Sequence, residues 1–109
     1  MKDHSIGEFE ELVLLMVAAL HQEAYGVAIL ESLEVRVGKK YNISAIHVAL
    51  KRMEDKGFVK SHFGGITEER GGRRKKFYMI TAFGKKVLDK QYELRTDLYQ
   101  LIPKISFGQ

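Results

Sequence analysis

Apolar residues recur along this chain with two different periods. From Glu8 to Leu20, Phe9, Leu12, Val13, Met16, Val17 and Leu20 fall three and four residues apart, the spacing of one helix face. Glu8, Glu10 and Glu11 occupy the first turn, where the helix dipole favours acids. Leu14, Leu15 and Ala18 widen the stripe, so this helix is expected to be covered on more than one side. After a short connection at residues 21–24, a second helix is predicted over Tyr25–Val37, with Val27, Ile29, Leu30, Leu33 and Val37 offered to the core and Gly38 as its stop. A third spans about Ser44–Lys56, capped by Ser44 or Asn42 and ended by Gly57. Its inward residues are Ile46, Ala49, Leu50 and Met53, after Ile43. Its outward residues are Ala45, His47, Val48, Lys51, Arg52 and Asp55.

The period then changes to two. Phe58–Phe63 alternates, with Val59, Ser61 and Phe63 on one face and Lys60 and His62 on the other, and Lys76–Ile80 is aromatic and apolar enough for a second strand. The connection between them, GGITEERGGRR, is rich in glycine and charge. A hairpin with a projecting basic tip is the expected result, with Phe58, Phe63, Phe77 and Tyr78 forming its core. Thr81 caps a fourth helix, Ala82–Leu101, stopped by Pro103. Phe83, Val87, Leu94, Leu98 and Leu101 make one stripe on it, and Leu88, Tyr92, Tyr99 and Ile102 a second. Three short helices and a hairpin already close a unit, so this long helix needs a partner from elsewhere, most economically a second copy. The expected organisation is a domain over 1–81 followed by a dimerisation helix and tail over 82–109.

Charge sharpens the picture. The 109 residues carry net +4, unevenly distributed. Residues 1–35 hold one base against seven acids, net −6; residues 36–86 hold fourteen bases against four acids, net +10; residues 87–109 hold three of each. A basic middle is the electrostatic footprint of a nucleic-acid-binding segment. There is no cysteine, which excludes disulfides, thiolate metal sites and cysteine nucleophiles. The acidic N-terminus is unlike a secretory signal, and the longest apolar run, Leu12–Leu20, is far short of the ~20 residues of a membrane helix. A soluble cytoplasmic protein is expected. His4, His21, His47 and His62 have no metal-ligand spacing, and no phosphate loop of the Walker type occurs, so neither an enzyme nor a cofactor is expected.

Helix, helix, helix, hairpin is the element order of a winged helix-turn-helix, in which the third helix enters the major groove and the hairpin loop, the wing, lies along the backbone or minor groove. The fold class is therefore mainly α with a small β-hairpin: a winged helix-turn-helix plus a long C-terminal dimerisation helix. The chain also resembles the PadR-type transcriptional regulators, through GEFEELVLL (Gly7–Leu15), EAYGVAI (Glu23–Ile29), ISAIHVALKRMEDKGFV (Ile43–Val59), ERGGRRKKFYMIT (Glu69–Thr81) and Gly84. The resemblance implies a homodimeric repressor on a palindromic operator in double-stranded DNA. Carried over by position, it implies DNA contacts from Ser44, Ala45, His47, Val48, Lys51 and Arg52, from the wing residues Arg70, Gly71, Gly72, Arg73, Arg74 and Lys75, and from Tyr25. Where the family commonly has tyrosine, this chain has His47. The resemblance further implies an interface built by the first and last helices, which here offer Phe9, Leu12, Met16, Val87, Leu88, Tyr92, Leu98 and Tyr99. Some members bind a small-molecule effector at the dimer centre; the tryptophan stacking used by certain drug-binding members does not transfer to a chain without tryptophan. The competing reading is a winged-helix protein-interaction module. RNA binding lacks the aromatic platform of single-strand readers.

Overall fold

A computed structural model describes residues 4–66 and 74–105. In chain order it comprises α1 (Glu8–Leu20), a 3₁₀ turn (His21–Glu23), α2 (Gly26–Val37), α3 (Ile43–Asp55), β1 (Val59–Ile66), β2 (Arg74–Ile80) and α4 (Ala82–Gln100). Arg70, Gly71, Gly72 and Arg73, expected in the wing, lie outside the described residues.

Each boundary has a local cause. The α1 first turn carries its three glutamates. At the other end His21 takes φ 54° and donates its amide to the Val17 carbonyl. Gly38 ends α2 with φ 78° and its amide on Glu34 O, a left-handed position that a side chain would resist. Asn42, not Ser44, caps α3: its Oδ1 accepts from the Ser44 amide at 2.7 Å. Asn42→Ala is expected to lower the unfolding free energy by about 1 kcal/mol, measurable by urea denaturation at constant protein concentration.

Val13, Leu14 and Val17 of α1 meet Ile29 and Leu33 of α2 and Ile46, Ala49, Leu50 and Met53 of α3 in one core. All four inward residues expected on α3 are buried. Leu15 is not; it lies open with Val27 and Val37 of α2, so the width of an apolar stripe overstated how much of these helices the chain itself covers.

The hairpin is antiparallel, pairing Val59 with Ile80, Ser61 with Tyr78, His62 with Phe77 and Phe63 with Lys76. The connection before α2 contributes to it too: Ala24 O accepts from the Tyr78 amide at 2.8 Å and Tyr25 bridges Phe77. Phe58 is fully buried and Tyr78 nearly so; burying a phenyl ring contributes about 2–3 kcal/mol. Phe63 departs from expectation. It is 59% exposed, with the Lys76 ammonium 5.9 Å from its ring centre, because its strand position has run past the helices.

Helix α4 is fastened at its start. The Thr81 hydroxyl accepts from the Gly84 amide at 2.9 Å and reaches the Gly57 and Phe58 carbonyls at 2.6 and 3.0 Å. A Cβ on Gly84 would overlap the Phe58 carbonyl oxygen, so glycine alone lets the helix lie this close. Val87 and Leu88 belong to the chain's own core, and Leu88 is only 8% exposed. This corrects the expectation that they face a second copy. Further along, an ion pair from Arg95 to Glu11 at 3.1 Å joins α4 to α1. Tyr92, Leu94, Leu98, Tyr99, Leu101 and Ile102 are all exposed.

Candidate nucleic-acid interface

The site begins with α3. Because Ile46, Ala49, Leu50 and Met53 point into the core, helical geometry sends Ser44, Val48, Lys51 and Asp55 along the middle of the opposite face. Ala45 and Arg52 flank this ridge on the side of α1, in a shallow groove shared with Gly7, Glu8, Phe9 and Lys56. The Lys56 ammonium is held by Glu10 at 3.4 Å.

His47 flanks the ridge on the other side. Its ring lies over Gly26, where an added Cβ would come within 2.8 Å of His47 Cε1. Gly26 thus admits an outward side chain of α3, which explains a glycine at the start of α2. Beyond His47 a cleft of about 290 Å³ runs between α2, α3 and β2, lined by Tyr25, Gly26, Val27, His47, Arg74, Lys75, Lys76 and Tyr78. The Lys75 ammonium sits 4.3 Å from the Tyr25 ring centre, a cation–π contact. Tyr25 in turn meets Phe77 edge-on at 5.6 Å, and His62 stacks on Phe77 at 5.7 Å. The α2 N-terminus has no side-chain cap and no acid in its first turn, so its dipole adds positive potential beside the cleft.

Two carboxylates temper these bases. Asp55 accepts from Lys51 at 2.9 Å; that hydrogen bond and the attached charge raise the Lys51 pKa above the ordinary lysine value. Glu54 accepts from Ser61 Oγ at 2.5 Å and stands 4.0 Å from the Lys76 ammonium. Burial, reinforced by the Glu54 charge, pushes the Tyr78 phenol up. Among the described residues no group of histidine, aspartate and glutamate could hold a metal.

Of the expected DNA contacts, the structure brings Tyr25, His47, Arg74 and Lys75 to one cleft, with Ser44, Val48 and Lys51 on the adjoining ridge. Lys76, the last base of the run, joins them, and Val27 is an addition. Val27 was expected in the core because it falls on the apolar period of α2, and no sequence signal separates it from Ile29.

The sequence profile of the Transcriptional regulator PadR-like family matches residues 14–90, most of the chain. The chain belongs to the PadR-like family of transcriptional regulators. The match takes in α2, α3, the hairpin and the buried part of α4, and a family of transcriptional regulators sets the catalytic alternative aside. This PadR-like chain is 26% identical to a PadR family transcription regulator from Clostridium difficile R20291, with a TM-score of 0.67 over 87% of this chain and 94% of the other. The hsRosR-SG complex superposes with a TM-score of 0.71 at 20% identity, covering 94% of this chain and 83% of that one. An uncharacterized protein from Lysinibacillus sphaericus is 24% identical over 98 residues, 88% of this chain and 85% of its own length. The winged helical fold, four helices with a two-stranded hairpin, is shared. No described helix of this PadR-like regulator is long and apolar enough to cross a membrane.

Proposed function

We propose that this regulator binds double-stranded DNA sequence-specifically as a homodimer, placing α3 in the major groove and the wing on the flanking backbone, and represses transcription by occupying its operator. The observation that carries the reading is the cleft joining His47 of α3, the start of α2 and the Arg74–Lys76 run of β2. One duplex can meet all three at once, with base edges toward the α3 ridge and phosphates toward Tyr25, Arg74 and Lys75. Repression requires no further surface, since a covered duplex is closed to other proteins.

Two apolar surfaces support the dimer. One is the distal face of α4. The other is a groove of about 730 Å³ between α1 and α2, lined by Leu12, Leu15, Met16, Leu20, Val35 and Val37 among others. A two-fold axis would let each chain lay its α4 against the other's groove, an isologous exchange. Leu12 and Met16, expected at the interface from the sequence, line this groove, whereas Phe9 packs beside Tyr41 at 5.3 Å within its own chain.

Selection of bound duplexes from a random pool at fixed salt tests the function. The expected outcome is a two-fold-symmetric motif with half-sites about one helical turn apart; a pool without a shared motif leaves the protein-interaction alternative standing. On the selected duplex, Arg74→Ala with Lys75→Ala is expected to reduce the magnitude of the slope of log K against log salt by roughly one to two units, since each phosphate contact contributes about 0.9. An unchanged slope removes the wing strand from the contact.

A further inference from the structure

On the outward ridge of α3, between Ser44 and the Lys51–Asp55 pair, the central turn is apolar. His47 is drawn aside over Gly26, and the Lys51 ammonium is engaged by Asp55. The group projecting from the central turn of the ridge is the Val48 isopropyl, 52% exposed, with exposed Ala45 three residues earlier on its flank. Neither joins the hydrophobic core. Single exposed apolar residues are ordinary on most surfaces. At this position a β-branched residue lowers helix propensity relative to alanine, lysine or arginine, and Val48 lies at the edge of the groove that Ala45 and Phe9 also line, with about half of its surface open.

Among the groups that base pairs present in the major groove, the C5-methyl of thymine is the apolar one. We infer that Val48, flanked by Ala45, reads a thymine methyl group in each half-site, so that the operator carries a T·A pair beneath the central turn of α3. This rests on the reading that α3 enters the major groove. Apolar contact discriminates by burying that methyl, and Val48 presents a branched surface to cover it. Ser44 and Lys51, one turn to either side on the same ridge, face the neighbouring base pairs and phosphates.

Uracil tests the assignment, because it removes the methyl and leaves the pairing intact. In the selected duplex, each thymine of a half-site is replaced in turn by deoxyuridine, symmetrically in both halves, and affinity is measured by fluorescence anisotropy. At one position the wild-type protein is expected to bind about fourfold more weakly per half-site, the factor associated with exposing one methyl-sized group. Val48→Ala, which keeps the helix because the side chain points outward, is expected to shrink that ratio below about twofold, and Val48→Ile to preserve it. If no thymine gives more than about a twofold uracil effect in the wild type, while binding stays sequence-specific, the methyl reading is wrong and the DNA reading stands. A uracil effect that persists undiminished in Val48→Ala assigns the methyl to another residue and overturns the inference. A pool that yields no shared motif overturns the DNA reading and this assignment with it.

Discussion

Gly84→Ala is expected to lower the unfolding free energy by about 3 kcal/mol, and Gly84→Val to leave little folded protein. The added Cβ has nowhere to go, since the atom it meets is the Phe58 carbonyl oxygen and not the end of a flexible side chain. Overpacking typically costs about 1–3 kcal/mol. Relief by moving the helix away would stretch the Thr81 hydrogen bonds to Gly57 O, Phe58 O and the Gly84 amide, adding the loss of an N-cap, about 1 kcal/mol more. Against a total of about 5–15 kcal/mol for a small domain, this is a large fraction. Thermal unfolding followed by circular dichroism should show a midpoint more than about 10 °C lower, at matched protein concentration because assembly contributes to apparent stability. A loss under about 1 kcal/mol would mean that α4 can pivot away from Phe58 at little expense.

The second large effect concerns assembly. If the chain assembles as proposed, Tyr92→Asp and Leu98→Asp are expected to give a folded monomer by sedimentation where the wild type is a dimer, and to weaken binding to a two-fold-symmetric duplex by more than about 100-fold. The factor follows from multivalency: with one half-site bound, the second binds at an effective concentration in the millimolar range, and a monomer forfeits that gain. Tyr92 is 72% exposed, so a carboxylate there stays solvated in the single chain. Leu88→Asp makes the control. It buries a charge in the chain's own core and should cost the fold itself. Folded dimers of Tyr92→Asp and Leu98→Asp, by sedimentation and circular dichroism together, would show that the distal face of α4 does not hold the copies together.

Much of the architecture is readable in the residues because each element carries its own signals. The run from Glu8 to Leu20 has acids at its start and an unbroken helical period. The four inward residues of α3 follow directly from their spacing, and Thr81 announces α4. Periodicity reports which face is apolar, however, and not what covers it. Leu15, Val27 and Val37 share a period with buried neighbours yet lie open, while Val87 and Leu88 are covered by their own chain. Phe63 alternates correctly but sits beyond the reach of the helices. The bridge from Ala24 and Tyr25 to β2 is too short to produce an alternating pattern. The candidate site was partly legible for the same reasons. Basic residues before an alternating run pointed to the wing strand, and the outward positions of α3 follow once the inward ones are known. The seating of His47 on Gly26 joins residues twenty-one apart, through a contact visible only in three dimensions.

Helix α4 has nineteen residues and is therefore about 28 Å long. Its direction is set at one end, where backbone lies against backbone at Gly84 and Phe58. A hinge of 10° there would swing the far tip by about 4 Å at 1.5 Å per residue. In the proposed symmetric pair joined through those tips, the junction would act as the fulcrum of a caliper: it would set how far apart the two α3 helices stand, and hence whether they match the pitch of a duplex.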